Sequence, residues 1–187
     1  MILVNLFGEP GAGKSTGAAY IFSQLKMHGV NAELVTEYAK DKVWEENTAV
    51  FKNQAYIFGK QFFKISRCED KVDVIVTDSP LPLSIIYNEN SNLTDNFNKT
   101  VMDVFNSYNN INFLILRTKP YNPSGRHQDE QGACELKDNI RAMLHDRGIK
   151  YGTITGDVDG YDTAVREILG VLEEEFKNNR KAESNND

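Results

Sequence analysis

The sequence lacks three features that would assign it to a specialised class of protein. No run approaches the roughly 20 consecutive apolar residues of a membrane-spanning helix, and the start has no basic segment followed by an apolar one, as in a signal peptide. The two cysteines, Cys68 and Cys134, stand far apart without the spacing of metal ligands, so we expect both to be reduced and structural. The net charge of −6 argues against a broadly basic surface for nucleic acid. We therefore expect a cytoplasmic protein without membrane contact.

The rest of the composition is that of an ordinary single domain. A length of 187 residues with 40% hydrophobic and 26% charged residues is enough to bury one core. We find no internal repeat and no linker between domains. We predict one domain over residues 1–177, followed by a polar tail, 178–187, that we expect to be disordered. The sequence leaves open whether the protein is a monomer or a homodimer.

Apolar runs alternate along the chain with segments of helical periodicity. The predicted strands are 2–7, 32–36, 72–77, 111–116 and 151–155. Helices are predicted at 16–27, 93–108, 133–146 and 164–176, with two more inside 37–70. Strands separated by helices imply a mostly parallel sheet with helices on both faces. We therefore predict an α/β fold with a five-stranded sheet that binds ligands at the carboxyl ends of its strands.

One motif indicates what that edge of the sheet binds. Residues 8 to 15 read Gly-Glu-Pro-Gly-Ala-Gly-Lys-Ser, which matches the phosphate-binding loop G-x-x-x-x-G-K-[ST] between a strand and a helix. Glycines let the backbone wrap around phosphate oxygens, and the first N–H groups of the helix supply donors. Lys14 is expected to reach the β- and γ-phosphates, and the Ser15 hydroxyl to hold Mg²⁺. The motif predicts a site for ATP and Mg²⁺ formed by Gly8, Gly11, Ala12, Gly13, Lys14, Ser15 and Thr16.

Three polar residues, Glu37, Asp78 and Arg117, directly follow predicted strands. Since the carboxyl ends of parallel strands lie at one edge of the sheet, we expect these residues to converge there with the phosphate loop. Asp78 is expected to support Mg²⁺ together with Ser15. Alternatively it caps the next helix, because Asp-Ser-Pro is a good helix start, and the two roles are compatible.

Glu37 bears on the kind of phosphate acceptor. A hydroxyl acceptor benefits from a carboxylate that orients it and accepts its proton, whereas a phosphate acceptor needs arginines to hold the anion. The first arginine of the chain is Arg67, and the segment after the second strand holds Lys40 and Lys42 but no arginine. The pattern favours Glu37 as the base for a hydroxyl. Its alternative role is a stabilising acid in the first turn of a helix.

Two other functions stay open. In a nucleoside monophosphate kinase, Arg67, Lys40 or Lys42 would hold the acceptor phosphate. In a nucleotide-binding switch or ATPase, a residue would direct water, and we find no glutamine or second acid placed for this after the third strand.

The segment 117–132 is long, charged and rich in proline and glycine, which is typical of a loop. Its two arginines, Arg117 and Arg126, suit a lid that closes over the triphosphate and places guanidinium groups against the transferring phosphoryl. We expect both to be catalytic. The alternative is an irregular surface loop with salt bridges.

The segment 51–63 mixes aromatic rings with amides. Most of the rings are expected in the core, because their spacing is helical. Even so, Gln54, Tyr56, Phe58 and Gln61 have the chemistry to stack on a base and bond to its edge. We predict that the acceptor site is formed by Glu37, Gln54, Tyr56 and Arg67. An acceptor within DNA also needs a basic track, for which the candidates are Lys40, Lys42, Lys52, Lys60, Lys64 and Arg67.

These segments together resemble the small P-loop kinases of nucleosides and nucleotides. They are closest to the NadR-like family of bacteria and tailed phages, which includes the ribosylnicotinamide kinase domain and phage kinases of 5-hydroxymethyluracil in DNA. The segments that carry the resemblance are Gly8 to Ser15, Thr36 to Ala39, Asn53-Gln54 through Arg67, Thr77 to Pro80, Arg117, and Tyr121 to Gln128.

The pattern is also similar to deoxynucleoside kinases, which place a Glu after strand two and a base-reading Gln in the next helix. This chain departs from them after the third strand, where Asp-Ser-Pro stands and they carry an arginine. The resemblance implies ATP- and Mg²⁺-dependent phosphoryl transfer, with Glu37 as base and Arg117 and Arg126 in the lid. We expect the acceptor to be a nucleoside-type small molecule or modified DNA.

Overall fold

A central parallel sheet organises the structure, a computed structural model that describes residues 1–88, 93–120 and 130–184. Its strands lie in the order β2-β3-β1-β4-β5, and every pair of neighbours is parallel. The strands are β1 (Ile2–Phe7), β2 (Ala32–Val35), β3 (Val74–Thr77), β4 (Asn109–Leu116) and β5 (Gly152–Thr155). The predicted α/β fold with five strands is confirmed.

Helices cover both faces of the sheet. They are α1 (Lys14–Met27), α2 (Tyr38–Trp44), α3 (Gln54–Ser66), α4 (Leu83–Asn88), α5 (Asp95–Asn106), α6 (Glu130–Asp146) and α7 (Val158–Ser184), with a 3-10 helix at Thr48–Lys52. In the part of the chain that the structure describes, no helix is both long and apolar enough to span a membrane.

The central strand β1 explains the two cores. All six of its residues are buried, because helices cover both of its faces. Ile2, Val4 and Leu6 face a core shared with α1 and α7. Leu3 and Phe7 face the opposite core, which α3, α4, α5 and α6 complete. The sheet is therefore a rigid layer whose carboxyl edge holds whatever the following loops carry.

Several helix predictions need correction. The last helix was expected at 164–176 but runs Val158–Ser184, so the described part of the expected tail is helical. It begins earlier because Asp157 Oδ1 accepts the Gly160 N–H at 3.1 Å, which caps the first turn. It continues through a Glu173–Lys177 pair at 3.8 Å, spaced to support a helix. The end of the domain at residue 177 stays a prediction.

Two further differences lie nearer the site. The predicted loop 117–132 ends earlier, because α6 already begins at Glu130. The helix α4 was not predicted, since its six residues are too few to show a helical period.

Candidate active site

The phosphate loop lies between β1 and α1, as its motif predicts. Gly13 is the residue before α1, with φ of 102° and ψ of 11°, a left-handed conformation that residues with a side chain rarely adopt. A Cβ at this position would also collide with the Tyr161 hydroxyl. Only glycine fits there, and the loop can therefore turn its backbone directly into the helix.

Lys14 folds back over the loop that precedes it. Its Nζ donates to the backbone oxygen of Gly8 at 2.8 Å and to that of Glu9 at 3.2 Å. Ser15 and Thr16 are exposed in the first turn of α1, which contains no acidic residue. A cation and the positive end of a 14-residue helix thus face the same space, which is a suitable setting for an anion.

The strand β5 and helix α7 support this loop from behind. The Tyr161 hydroxyl donates to the Gly13 oxygen at 3.1 Å, and its ring fills the space that a side chain at Gly17 would need. Gly156, after β5, lies so close to the Ala12 carbonyl that a Cβ there would collide with it. The sequence interpretation missed both Tyr161 and Gly156. Gly156 directly follows β5, but only polar residues after strands were considered, so a glycine there was passed over.

Glu37 and Asp78 lie together, as predicted. Their strands pair in register, with Val35 opposite Thr77, so the residues after them are neighbours. The Glu37 N–H donates to Asp78 Oδ1 at 2.9 Å, and Asp78 is only 3% exposed. This bond connects Asp78 to the start of α2, rather than to the helix that follows it in sequence.

The environment of Glu37 changes its acidity. Burial raises the pKa of the Glu37 carboxyl, the Lys14 charge opposes that shift, and the Asp78 charge adds to it. Glu37 is thus within electrostatic reach of both the phosphate loop and Asp78.

Tyr87 on α4 belongs to the same neighbourhood. Burial of its hydroxyl, with a smaller contribution from the Glu37 charge, raises the pKa of Tyr87 to about 12. The residue as a whole is 42% exposed. The sequence interpretation missed Tyr87, because it lies in the short helix that the periodicity did not reveal.

The predicted base-binding residues differ in what they contact. Gln61 is buried and connects elements: its Oε1 accepts the Tyr38 N–H at 2.9 Å, and its Nε2 donates to Thr77 Oγ1 at 3.4 Å. Gln54 is also buried, and its Nε2 donates to the Phe51 oxygen at 3.1 Å. Phe58 is core, as its spacing suggested. Gln61 therefore holds α2 against β3.

Tyr56 presents the accessible ring of this segment. It is 41% exposed, and its hydroxyl shares a hydrogen bond of 2.9 Å with that of Tyr38, which directly follows Glu37. Lys60 Nζ lies 5.5 Å from the centre of the Tyr56 ring. Tyr56 is thus connected through Tyr38 to the start of α2, where Glu37 stands.

Arg117 follows β4 and lies against the phosphate loop. Its Nε is 3.4 Å from Oε1 of Glu9, the second residue of the motif. The sequence interpretation missed Glu9, because the motif leaves that position free. The second predicted lid arginine, Arg126, lies outside the described residues.

Arg67 is not brought to this edge of the sheet. It follows α3 at the end where the chain turns back towards the start of β3. Glu69, two residues further, accepts a hydrogen bond from the hydroxyl of Tyr108, which precedes β4. These contacts place Arg67 towards the amino ends of the strands, away from Glu37 and Asp78.

The described residues contain no group of three or more histidine, cysteine, aspartate or glutamate side chains arranged to hold a metal ion. The predicted Mg²⁺ site is of another kind, since it relies on the Ser15 hydroxyl and the Asp78 carboxylate beside bound phosphates.

Comparison with known proteins gives a family and a fold. A family model described as an AAA domain matches residues 3–160. A similar solved structure is deoxyadenosine kinase from M. mycoides, with the products dCMP and a flexible dCDP bound. It is 18% identical, covers 92% of this chain and 99% of its own, and has a TM-score of 0.52. At this identity the likeness shows the fold alone, which is that of a P-loop kinase. No curated protein matches.

Proposed function

Because the chain belongs to the AAA domain family and shares the fold of a P-loop kinase, we propose that it transfers the γ-phosphate of ATP to a hydroxyl group of a nucleoside-type acceptor. The observation that carries this proposal is the position of Glu37, whose backbone N–H donates to Asp78 Oδ1 at 2.9 Å and whose carboxyl group is within electrostatic reach of Lys14.

The triphosphate would lie on the loop Gly8–Ser15. Lys14 would turn from the loop carbonyls to the β- and γ-phosphates, and the backbone N–H groups at the start of α1 would bind their oxygens. The donors also suit Mg²⁺, since a hydroxyl and a carboxylate are the hard oxygen ligands it prefers. Ser15 and Asp78 would hold the ion, which when bound supplies positive charge beside the phosphates.

Glu37 would act on the acceptor hydroxyl. A carboxyl whose pKa is raised by burial stands nearer to the working pH, and so accepts a proton more effectively than an exposed glutamate. Its backbone N–H is fixed by Asp78, which limits where the carboxylate can reach. The reaction needs mainly positioning and electrostatic stabilisation, and Arg126 in the predicted lid would add the latter.

The acceptor side would be formed by Glu37, Gln54 and Tyr56. A ring that is 41% exposed and connected through Tyr38 to the start of α2 suits stacking on a base. From the resemblance to NadR-like kinases, we propose a free nucleoside, a nicotinamide riboside-like compound or a hydroxymethylated base in phage DNA as acceptor.

The placement of Arg67 makes a monophosphate acceptor less suitable. Of the three cations considered for holding its phosphate, Lys42 is bonded to Glu45 at 2.6 Å and Arg67 lies towards the opposite edge of the sheet, which leaves Lys40, whose charge acts on Glu37. We therefore propose no role for Arg67 in the acceptor site.

A second candidate function is ATP hydrolysis without an acceptor. The match to a family model of AAA domains favours it, because that description does not require a kinase. The two functions differ in whether ATP turnover depends on an acceptor, which an experiment can decide.

The test is ATP consumption with Mg²⁺ against nucleosides, nucleoside monophosphates, nicotinamide riboside, and DNA with and without hydroxymethylated bases. We expect turnover to depend on one hydroxyl acceptor and to fall in Glu37→Gln by about 10²-fold or more, the usual contribution of a general base. An exposed acid on α7, Glu174→Gln, is the matched control. A diphosphate product would indicate a monophosphate kinase, and equal turnover without any acceptor would indicate an ATPase.

A further inference from the structure

Glu9 is an acidic side chain inside a loop that is proposed to bind polyphosphate. It is only 4% exposed, so its carboxylate has little access to water that would screen its charge. An unpaired carboxylate in such a place would repel the phosphates and would itself be costly to bury. A cation beside Glu9 would offset both costs.

Arg117 is in position to do so. The strands β1 and β4 are neighbours in register, with Phe7 opposite Leu114, so the residues that follow them emerge side by side. The Arg117 side chain is 17% exposed, and its Nε lies 3.4 Å from Glu9 Oε1. This is a largely buried ion pair between the phosphate loop and the end of the next strand.

The pair also reaches the proposed phosphate-binding lysine. The backbone oxygen of Glu9 accepts a hydrogen bond from Lys14 Nζ at 3.2 Å. A displacement of Glu9 would therefore move its backbone oxygen, which orients Lys14 before nucleotide binds.

We propose that Arg117 is a positioning residue, which neutralises Glu9 and holds the phosphate loop in its binding shape, rather than a lid residue that contacts the transferring phosphoryl. The proposal rests on the proposed binding of ATP to Gly8–Ser15. It assigns to Glu9 a role that the phosphate-loop motif does not give it.

The test is a double-mutant cycle with Arg117→Met, Glu9→Gln and the combined variant, measured by the Kd of MgATP and by kcat and KM. We expect Arg117→Met to raise the Kd about tenfold or more, because it leaves Glu9 charged and buried beside the phosphates. Adding Glu9→Gln removes that charge, so the combined variant should recover to within about threefold of the wild type. Glu9→Gln alone should cost less than Arg117→Met.

Two further variants separate charge from contact. Lys150→Met removes an exposed positive charge just before β5, at the opposite edge of the sheet, and should leave the Kd nearly unchanged. Arg117→Lys keeps a cation near Glu9 and should retain most of the affinity for MgATP. This variant can also test the proposal if Arg117→Met does not fold.

The proposal is overturned if the combined variant binds MgATP as weakly as Arg117→Met. It is also overturned if Arg117→Met loses kcat while its Kd stays at the wild-type value, since that indicates a contact made with the transferring phosphoryl. A wild-type protein that does not bind MgATP at all would overturn the proposed function, and this inference with it.

Discussion

Glu37 is the single residue whose surroundings most affect the proposed chemistry. Burial raises its pKa above the ordinary 4.5, the charge of Lys14 opposes this, and that of Asp78 adds to it. A base acts only when it is deprotonated, so kcat/KM should rise with pH as Glu37 loses its proton. We predict an acidic limb in the wild type whose apparent pKa is raised above the ordinary value of a glutamate. The residual activity of Glu37→Gln should lack this limb, and a limb that persists there would assign the titration to another group.

The raised pKa of Glu37 makes the free energy of unfolding fall as pH rises, whereas it makes the activity increase. The folded protein binds the Glu37 proton more tightly than the unfolded chain does, so this contribution is present below the unfolded pKa and is lost as pH rises through the raised folded pKa. We predict that Glu37→Gln raises the free energy of unfolding near neutral pH, because it removes a partly buried charge. The gain should shrink in acid below the ordinary pKa of glutamate.

Urea denaturation at neutral and acidic pH measures this difference. Glu174→Gln on α7 serves as an exposed control. A gain for Glu37→Gln of equal size at both pH values would mean that its origin is packing and not protonation.

Among individual residues, site roles could be predicted for those that match a motif or follow a predicted strand. Glu37 and Asp78 were predicted as site residues because each directly follows a predicted strand, and the register of β2 and β3 brings them into contact. Glu9 was missed because the phosphate-loop motif accepts any residue there, and its partner is 108 positions away, from Glu9 to Arg117. Such long-range pairs leave no local signal in one sequence.

At the scale of elements, the connection between β5 and α7 packs so closely against the phosphate loop that it leaves no room for a side chain. A Cβ at Gly156 would meet the carbonyl oxygen of Ala12, which is backbone and cannot rotate away. We predict that Gly156→Ala displaces the loop, weakens MgATP binding severalfold and lowers the free energy of unfolding by about 1–3 kcal/mol. ATP titration and denaturant unfolding measure the two effects.

Gly170 offers the matched control for that variant. It lies inside α7, and a Cβ built there meets nothing within 4 Å. Gly170→Ala should therefore stabilise the helix, by about 1 kcal/mol, and leave ATP binding unchanged. A Gly156→Ala protein that binds MgATP as well as Gly170→Ala would show that the close approach has no role in shaping the loop.

The elements themselves could be predicted in proportion to their length and burial. The strands β1 and β3 are largely apolar and buried, and their approximate positions follow from that. The helix α4 has six residues and α2 has seven, with no buried residue in α2, so neither produces a clear helical period. The contacts of these short helices, including that of Tyr87, therefore could not be predicted from the sequence.

For the whole molecule, the order of the strands decides how the site is assembled. The sequence predicts a mostly parallel sheet of five strands, but it does not say that β3 lies between β2 and β1. That order places Asp78 between Glu37 and the phosphate loop, with Arg117 on the other side of the loop. One rigid sheet therefore carries the residues proposed to hold the metal, to act as the base and to bind the phosphates. A ligand bound at its edge should accordingly stabilise the entire fold.

Nucleotide binding should accordingly stabilise the whole protein. A ligand that binds only the folded state adds about 2.7 kcal/mol to the free energy of unfolding at 100 times its Kd. We predict a stabilisation by MgATP that grows with the logarithm of its concentration and is lost in Lys14→Met, since Lys14 is the cation folded over the loop. Lys26→Met, at the far end of the same helix, is the control for loss of charge. Denaturant unfolding at several MgATP concentrations measures the effect. Equal stabilisation of both variants would place the nucleotide somewhere other than the phosphate loop, whereas loss in Lys14→Met alone ties global stability to that edge of the sheet.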